Sequence, residues 1–170
     1  FVPTALWMGA SLYDGLNPNA TGASDMRFLG DPDVWPMDER DQDSELTRRA
    51  WAFVRAEPRR AMELAVVKLA RYWSPWPNAE GARSPWATVA SAAVMIPLLG
   101  LTALGLWTLR ADPRAWVLLA GPILYFCGLH MIFASSMRYR TPGEVPAMGL
   151  AAVGLLRCVG RDRPPRGKCF

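Results

Sequence analysis

One histidine, three cysteines and two lysines among 170 residues leave several kinds of chemistry without material. Cys127, Cys158 and Cys169 are odd in number and widely spaced, with no CxxC and no Cys/His spacing of the zinc type. Cys127 sits in an apolar run and Cys169 in a basic tail, so the two are expected at different depths and unable to pair. The ending Lys168-Cys169-Phe170 is not a prenylation box, which needs its cysteine four residues from the end. A P-loop, a Gly-rich dinucleotide turn, GxSxG and HExxH are all missing. The sequence therefore assigns no catalytic residue, no metal and no cofactor. It opens Phe1-Val2-Pro3, without an initiator Met, a charged leader or a signal peptide, and is expected to be part of a longer protein.

Acidic residues are also scarce in one half. Residues 1–85 carry ten Lys+Arg and twelve Asp+Glu, a net −2, whereas residues 86–170 carry nine and three, a net +6. In the second half the charges cluster between long charge-free runs, which excludes disorder and argues against one soluble core. The overall charge of +4 does not imply nucleic acid, because the excess sits in a short tail and beside apolar segments, as a membrane topology signal does.

Trp86 to Leu109 is 24 residues without a charge. As a helix it reaches ~36 Å, enough for a hydrocarbon core of ~30 Å with some tilt. Ala115 to Ser136 is a second such run, with His130 its only ionisable group. Pro146 to Leu156 is a third and weaker run, which needs extension toward Thr141 or past a snorkelling Arg157. The predicted spans are 86–109, 115–136 and 142–160. Trp86, Trp107 and Trp116 mark span ends, as interfacial tryptophans do. Arg110, Arg114, Arg157, Arg161, Arg163, Arg166 and Lys168 then share one side, which is expected to be cytoplasmic. Residues 1–85 would lie outside, and 161–170 would form a basic cytoplasmic tail.

Residues 1–43 are punctuated by Asn17-Pro18, Thr21-Gly22, Gly30-Asp31-Pro32 and Trp35-Pro36, and read as an ordered loop anchored by Leu6, Trp7, Leu12 and Tyr13. From Ser44 a helix is predicted, capped by Asp43 or Ser44, with Leu46, Ala50, Phe53 and Val54 on one face. Pro58 interrupts and fits as the first residue of a second helix, where Ala61, Leu64, Ala65, Lys68, Leu69 and Tyr72 share a face. That helix suits packing on the rest of the protein or lying on the membrane surface.

Three features bear on function. Between Gly9 and Gly22, Asp14, Asn17 and Asn19 place carboxylate and amide groups on a tight turn, which suits sugar hydroxyls. The plainer reading is that they close Asx-turns. Asn19-Ala20-Thr21 also matches a glycosylation sequon, in a tripeptide of high chance frequency. After the second span, Arg138-Tyr139-Arg140-Thr141-Pro142 sets two arginines at an outer interface, where forked guanidiniums suit a lipid-linked phosphate. The plainer reading is headgroup binding or loop packing. His130, about six residues or ~9 Å inside the outer end of its span, reads first as a hydrogen-bonded bundle residue.

Together these segments resemble the C-terminal part of bacterial GT-C-type membrane glycosyltransferases of the protein-mannosyltransferase and aminoarabinose-transferase-like family. Gly15-Leu16-Asn17-Pro18-Asn19-Ala20-Thr21-Gly22 is similar to that family's Gly-Asn-Asn-Pro-x-Ala-Thr-Gly stretch, with Leu16 in place of the first Asn. Arg138-Tyr139-Arg140-Thr141-Pro142 with Pro146 is similar to its Arg-Tyr-Arg-x-Pro-x-x-x-Pro. The resemblance covers most of residues 1–156. It implies transfer of a sugar from a polyprenyl-phosphate donor on the extracytoplasmic face of the bacterial inner membrane. It also implies a catalytic Asp in a first outer loop, which no residue here matches. Asp14 and Asp25 are therefore not given that role, and N-terminal spans outside this chain are the implied partner.

The expectation is an all-α integral membrane segment of about three C-terminal spans, preceded by an extracytoplasmic loop and helices. Its donor-contacting residues would be Arg138, Tyr139, Arg140, Asn17 and Asp14. The partners would be a polyprenyl-phosphate sugar and membrane lipid, with no nucleic acid. The alternative is a non-catalytic membrane protein, a transporter fragment or small assembly subunit, although no inverted repeat is visible. In intact cells, cysteines introduced into residues 1–85 should react with an impermeant thiol reagent and cysteines in 161–170 should not. Labelling of the tail would overturn the three-span topology.

Overall fold

The computed structural model describes residues 6–78, 84–135 and 137–160, with the backbone alone at Met137 and Arg138. The predicted basic tail lies outside the described residues. Among the described residues there is helix and no strand. The helices are α1 (Met8–Gly15), α2 (Glu39–Ala56), α3 (Pro58–Tyr72), α4 (Pro85–Thr108), α5 (Pro113–Ile132) and α6 (Thr141–Cys158), with short 3-10 turns at Met26–Gly30 and Met137–Arg140. Contacts divide the chain into two compact units, Phe1–Ser74 with Cys127–Tyr139, and Pro75–Phe126 with Arg140–Phe170. Residues 127–139 pack with the N-terminal segment.

In the first unit, α1 lies where a loop is expected. It is only two turns long and Trp7 gives it no side-chain cap, so its stability comes from packing rather than propensity. Ala10 packs with Val34 and Leu46, and Leu12 with Ala50, Phe53 and Leu64. Burying Leu46 and Leu64 contributes about 1.5–3 kcal/mol each.

Gly9 lets α1 approach α2. A Cβ there would stand 2.0 Å from the Asp43 carbonyl oxygen, and the Gly9 N–H instead donates to Asp43 Oδ1 at 2.6 Å. Asp43 thus serves the first turn of α1, whereas α2 begins five residues earlier than expected. There Asp38 accepts from Arg40 N at 3.0 Å and Asp41 N at 2.9 Å. Glu45 holds Arg48 and Arg49, and these bonds lower its carboxyl pKa to about 2.

The interruption at Pro58 is as expected: α2 ends at Ala56 and Pro58 starts α3, where its missing N–H removes no helical bond. The inward face of α3 is Leu64, Lys68 and Tyr72.

In the second unit, α4 starts at Ser84-Pro85 and α5 at Asp112-Pro113, each a polar cap followed by proline at the first helical position. Ser84 Oγ accepts from Ala87 N, and Asp112 Oδ1 from Arg114 N and Ala115 N. Pro122 lies inside α5, and the preceding turn, Trp116–Ala120, widens to π geometry. The Gly121 N–H reaches Trp116 O, which takes up the spacing that a proline disturbs.

Two helices, Pro85–Thr108 and Pro113–Ile132, are long and apolar enough to cross a membrane. Only 17% and 22% of their most apolar stretches are buried, which leaves most of their apolar side chains uncovered. The second ends at Ile132, not Ser136, for a reason given below. The third predicted span is the helix α6, but it does not meet the same length and hydropathy test.

What α6 does is pack closely on α4. A Cβ at Gly105 would lie 1.9 Å from Leu150 O, and one at Gly154 2.2 Å from Leu101 O. Thr102 Oγ1 donates to Ala147 O at 3.1 Å across the same contact. This backbone-to-backbone approach is the small-residue packing that apolar helices use.

Gly105→Ala should therefore destabilise the second unit by about 1–3 kcal/mol, since the opposing atoms are backbone and no rotamer relieves them. Gly100→Ala, which meets nothing within 4 Å, should melt at or above the wild-type temperature. Thermal unfolding of the detergent-solubilised protein separates the two.

Candidate functional site

The first unit contains a cavity of about 460 Å³. Its walls come from α1 (Ser11, Asp14), the residue before α1 (Trp7), the end of α5 (His130) and the turn that follows (Tyr139). Residues some 125 positions apart in the chain therefore share one hollow.

Asp14 is a buried carboxylate, 3% exposed. Oδ1 accepts from Asp25 N at 2.6 Å, which ties α1 to the start of the Met26–Gly30 turn. Behind it lies Lys68, fully buried, whose Nζ donates to Ile132 O at 2.5 Å and Met131 O at 3.3 Å. These are carbonyls at the C-terminal end of α5, which a helix leaves without internal partners and where positive charge is favoured. The ammonium takes them, and the chain then leaves the helix, with Ser135 N donating to Gly22 O at 3.3 Å. That is why α5 stops at Ile132. Gly15 permits the approach: a Cβ there would lie 2.5 Å from Ile132 O and 3.0 Å from Lys68 Nζ.

Burial pushes the Lys68 amine down to about 8, with the Asp14 charge opposing part of that shift. The two charges influence each other through space, while the Lys68 donors go to the Met131 and Ile132 carbonyls.

His130 is flanked by two rings in near-parallel stacks, Tyr72 at 5.5 Å and Tyr139 at 5.1 Å. Its Nδ1 is buried with no hydrogen-bond partner among the described residues. Tyr139 and Trp7 each leave nearly half of their surface exposed, 44% and 49%.

The sequence-predicted residues divide. Asp14 and Tyr139 line the cavity. Asn17 does not: its Nδ2 donates to Tyr13 O at 2.7 Å and its Oδ1 accepts from Asn19 N at 2.8 Å, the Asx-turn reading. Arg140 belongs to the second unit and is buried, with Nε on Glu144 Oε1 at 2.5 Å and a terminal nitrogen on Met95 Sδ at 3.4 Å. The side chain of Arg138 lies outside the described residues. Lys68 was read from the sequence only as one member of a helical face. Its signal was a lysine among the apolar positions of that face.

Among the described residues no group of three or more His, Cys, Asp or Glu is placed to hold a metal. Comparison with protein-family models, with curated proteins and with solved structures finds no match for the chain.

The Lys68 amine gives a pH signature. Its folded pKa of about 8 lies below the ordinary 10.5, so between these values the unfolded chain holds a proton that the folded chain has released. Stability should therefore rise as pH climbs from about 8 to 10.5, by up to ~3 kcal/mol, and show no such slope below pH 8. Denaturant melts of the detergent-solubilised protein across this window, against Lys68→Met in which the slope should vanish, check it.

Proposed function

We propose that this chain is the distal portion of an inner-membrane glycosyltransferase that uses a polyprenyl-phosphate-linked sugar. The observation that supports the reading is that Ser135 N donates to Gly22 O at 3.3 Å, which joins the end of the Gly15–Gly22 stretch to the chain three residues before Arg138. In the sequence these positions are over a hundred residues apart.

The uncovered apolar surfaces of α4 and α5 support membrane insertion. So do the exposed Trp86 and Trp107 near the two ends of α4, with the Arg110 guanidinium 4.3 Å over the Trp107 ring, an arrangement of the membrane–water interface. In this reading α6 is the third span, residues 1–85 face outward, and the reacting carboxylate belongs to spans outside this chain.

The two arginines then take different roles. Arg138 contacts the donor phosphate. Arg140, through Glu144 and Met95, positions the start of α6. Measured with the full protein in native membranes and a polyprenyl-phosphate sugar, Arg138→Ala should lower donor use roughly 10- to 100-fold at normal protein levels, the loss of one charge-assisted bond. Arg138→Lys should restore part of it, since the fork is lost but not the charge. Arg140→Ala should instead reduce the amount of folded protein, because it strands Glu144 without its partner. Normal donor use by Arg138→Ala would overturn the phosphate role.

A further inference from the structure

Three contacts fix how α3 stands against the end of α5. The Lys68 ammonium donates to Ile132 O at 2.5 Å, Tyr72 stacks on His130 at 5.5 Å, and Trp73 Nε1 donates to Cys127 Sγ at 3.2 Å. As α3 advances from Lys68 to Trp73, its partners on α5 recede from Ile132 to Cys127. Five residues of helix are ~7.5 Å on either side. The two helices therefore run in opposite directions here, and the last turn of α3 lies alongside the apolar run of α5 and not beyond its end.

With α5 as a span, Lys68 stands level with the edge of the hydrocarbon layer and Trp73 up to ~7.5 Å within it. Arg59 is nine residues or ~13 Å beyond it along the helix, a distance that tilt shortens and a long side chain spans, so its guanidinium reaches the lipid headgroups.

The uncovered side of α3 has the same order. Met62, Val66, Leu69 and Trp73 are spaced i, i+4, i+7, i+11 and form one stripe, with Met62 and Val66 66% and 58% exposed. Arg59 starts that side one turn before Met62, and a shallow groove there is lined by Arg59, Arg60, Met62, Glu63, Val66 and Val67. Glu63, the acid among them, pairs with Arg60 at 3.2 Å, which leaves the groove a net positive charge. A protein partner calls for apolar residues at the centre of a patch and charge around its rim. Here charge and tryptophan stand at opposite ends with the apolar residues between, which is the layering of a membrane–water interface that carries anionic lipid.

We propose that this side of α3 docks on the lipid surface beside α5, with Arg59 on an anionic headgroup and the Met62–Val66 stripe in the interface, so that α3 sets the depth of the first unit. This rests on α5 crossing the membrane and not on any sugar donor. Of the two occupants that the sequence left open for α3, it commits to lipid.

A photoreactive benzophenone amino acid replaces Val66 in the full protein and, in separate samples, Leu118, Leu124 or Tyr125, which are exposed on α5. In nanodiscs of phosphatidylglycerol and phosphatidylcholine in equal amounts, irradiation should give a lipid adduct at Val66, read as a mass shift, with phosphatidylglycerol favoured about fivefold, the effect of one arginine near a charged surface. Arg59→Gln should remove most of that preference and leave the total lipid adduct and the melting temperature unchanged. A polypeptide adduct at Val66, or none, beside lipid adducts on α5 overturns the docking and keeps the span. A lipid adduct at Val66 with none at the three α5 positions keeps the docking and overturns the span. Lipid adducts at no position overturn both. A Val66 lipid adduct whose headgroup preference is absent, or survives Arg59→Gln, overturns the Arg59 contact.

Discussion

One buried ammonium organises the first unit. Lys68 comes from α3, its donors close the C-terminal carbonyls of α5, and its charge faces Asp14 of α1. Three elements distant in sequence meet on a single Nζ. An ammonium stripped of water is costly, and an unpaired helix end in an apolar surrounding is costly too, so each cancels the other only in this one arrangement. The chain turn at Phe133–Ser135, the close approach of Gly15 and the wall of the cavity all follow from it. Hydrophobic contacts around Leu12, Phe53 and Leu64 supply most of the driving force. They do not, by themselves, specify where α5 must end.

The second unit is held in a different way. Its helices have few buried large side chains, and α4 meets α6 through glycines and a threonine. Where surrounding surface is apolar on all sides, burial gives little preference for one helix partner over another. Close backbone approach and a shared hydrogen bond then decide the pairing. Among the described residues the buried charge of this unit is Arg140, which pairs with Glu144 in the first turn of α6.

The cavity brings these ideas to function. Among the described residues its polar groups are the Asp14 carboxylate, the Ser11 hydroxyl and a stacked imidazole, and its remaining surface is largely aromatic and aliphatic.

The sequence by itself determined what depends on local pattern. The helix break at Pro58 follows from a ring that cannot donate, and the two long apolar helices follow from charge-free runs. The starts at Ser84-Pro85 and Asp112-Pro113 were encoded as caps, although hydropathy alone set the span starts one and two residues late. The Asx-turn at Asn17 was also open to reading, as the plainer of two possibilities. Tertiary structure decided the rest. The helix at Met8–Gly15 is too short and too rich in glycine to announce itself, and forms because Ala10 and Leu12 find partners in distant segments. Asp43, a good cap by its spacing, caps another helix, because Gly9 brings that helix's amide to it. That Arg140 pairs with Glu144 four residues on could not be read from the motif, which shows charge and not which partner the fold brings near. Lys68 looked like any residue of an amphipathic face, since periodicity records which side a residue is on and not which charges and carbonyls will be waiting there.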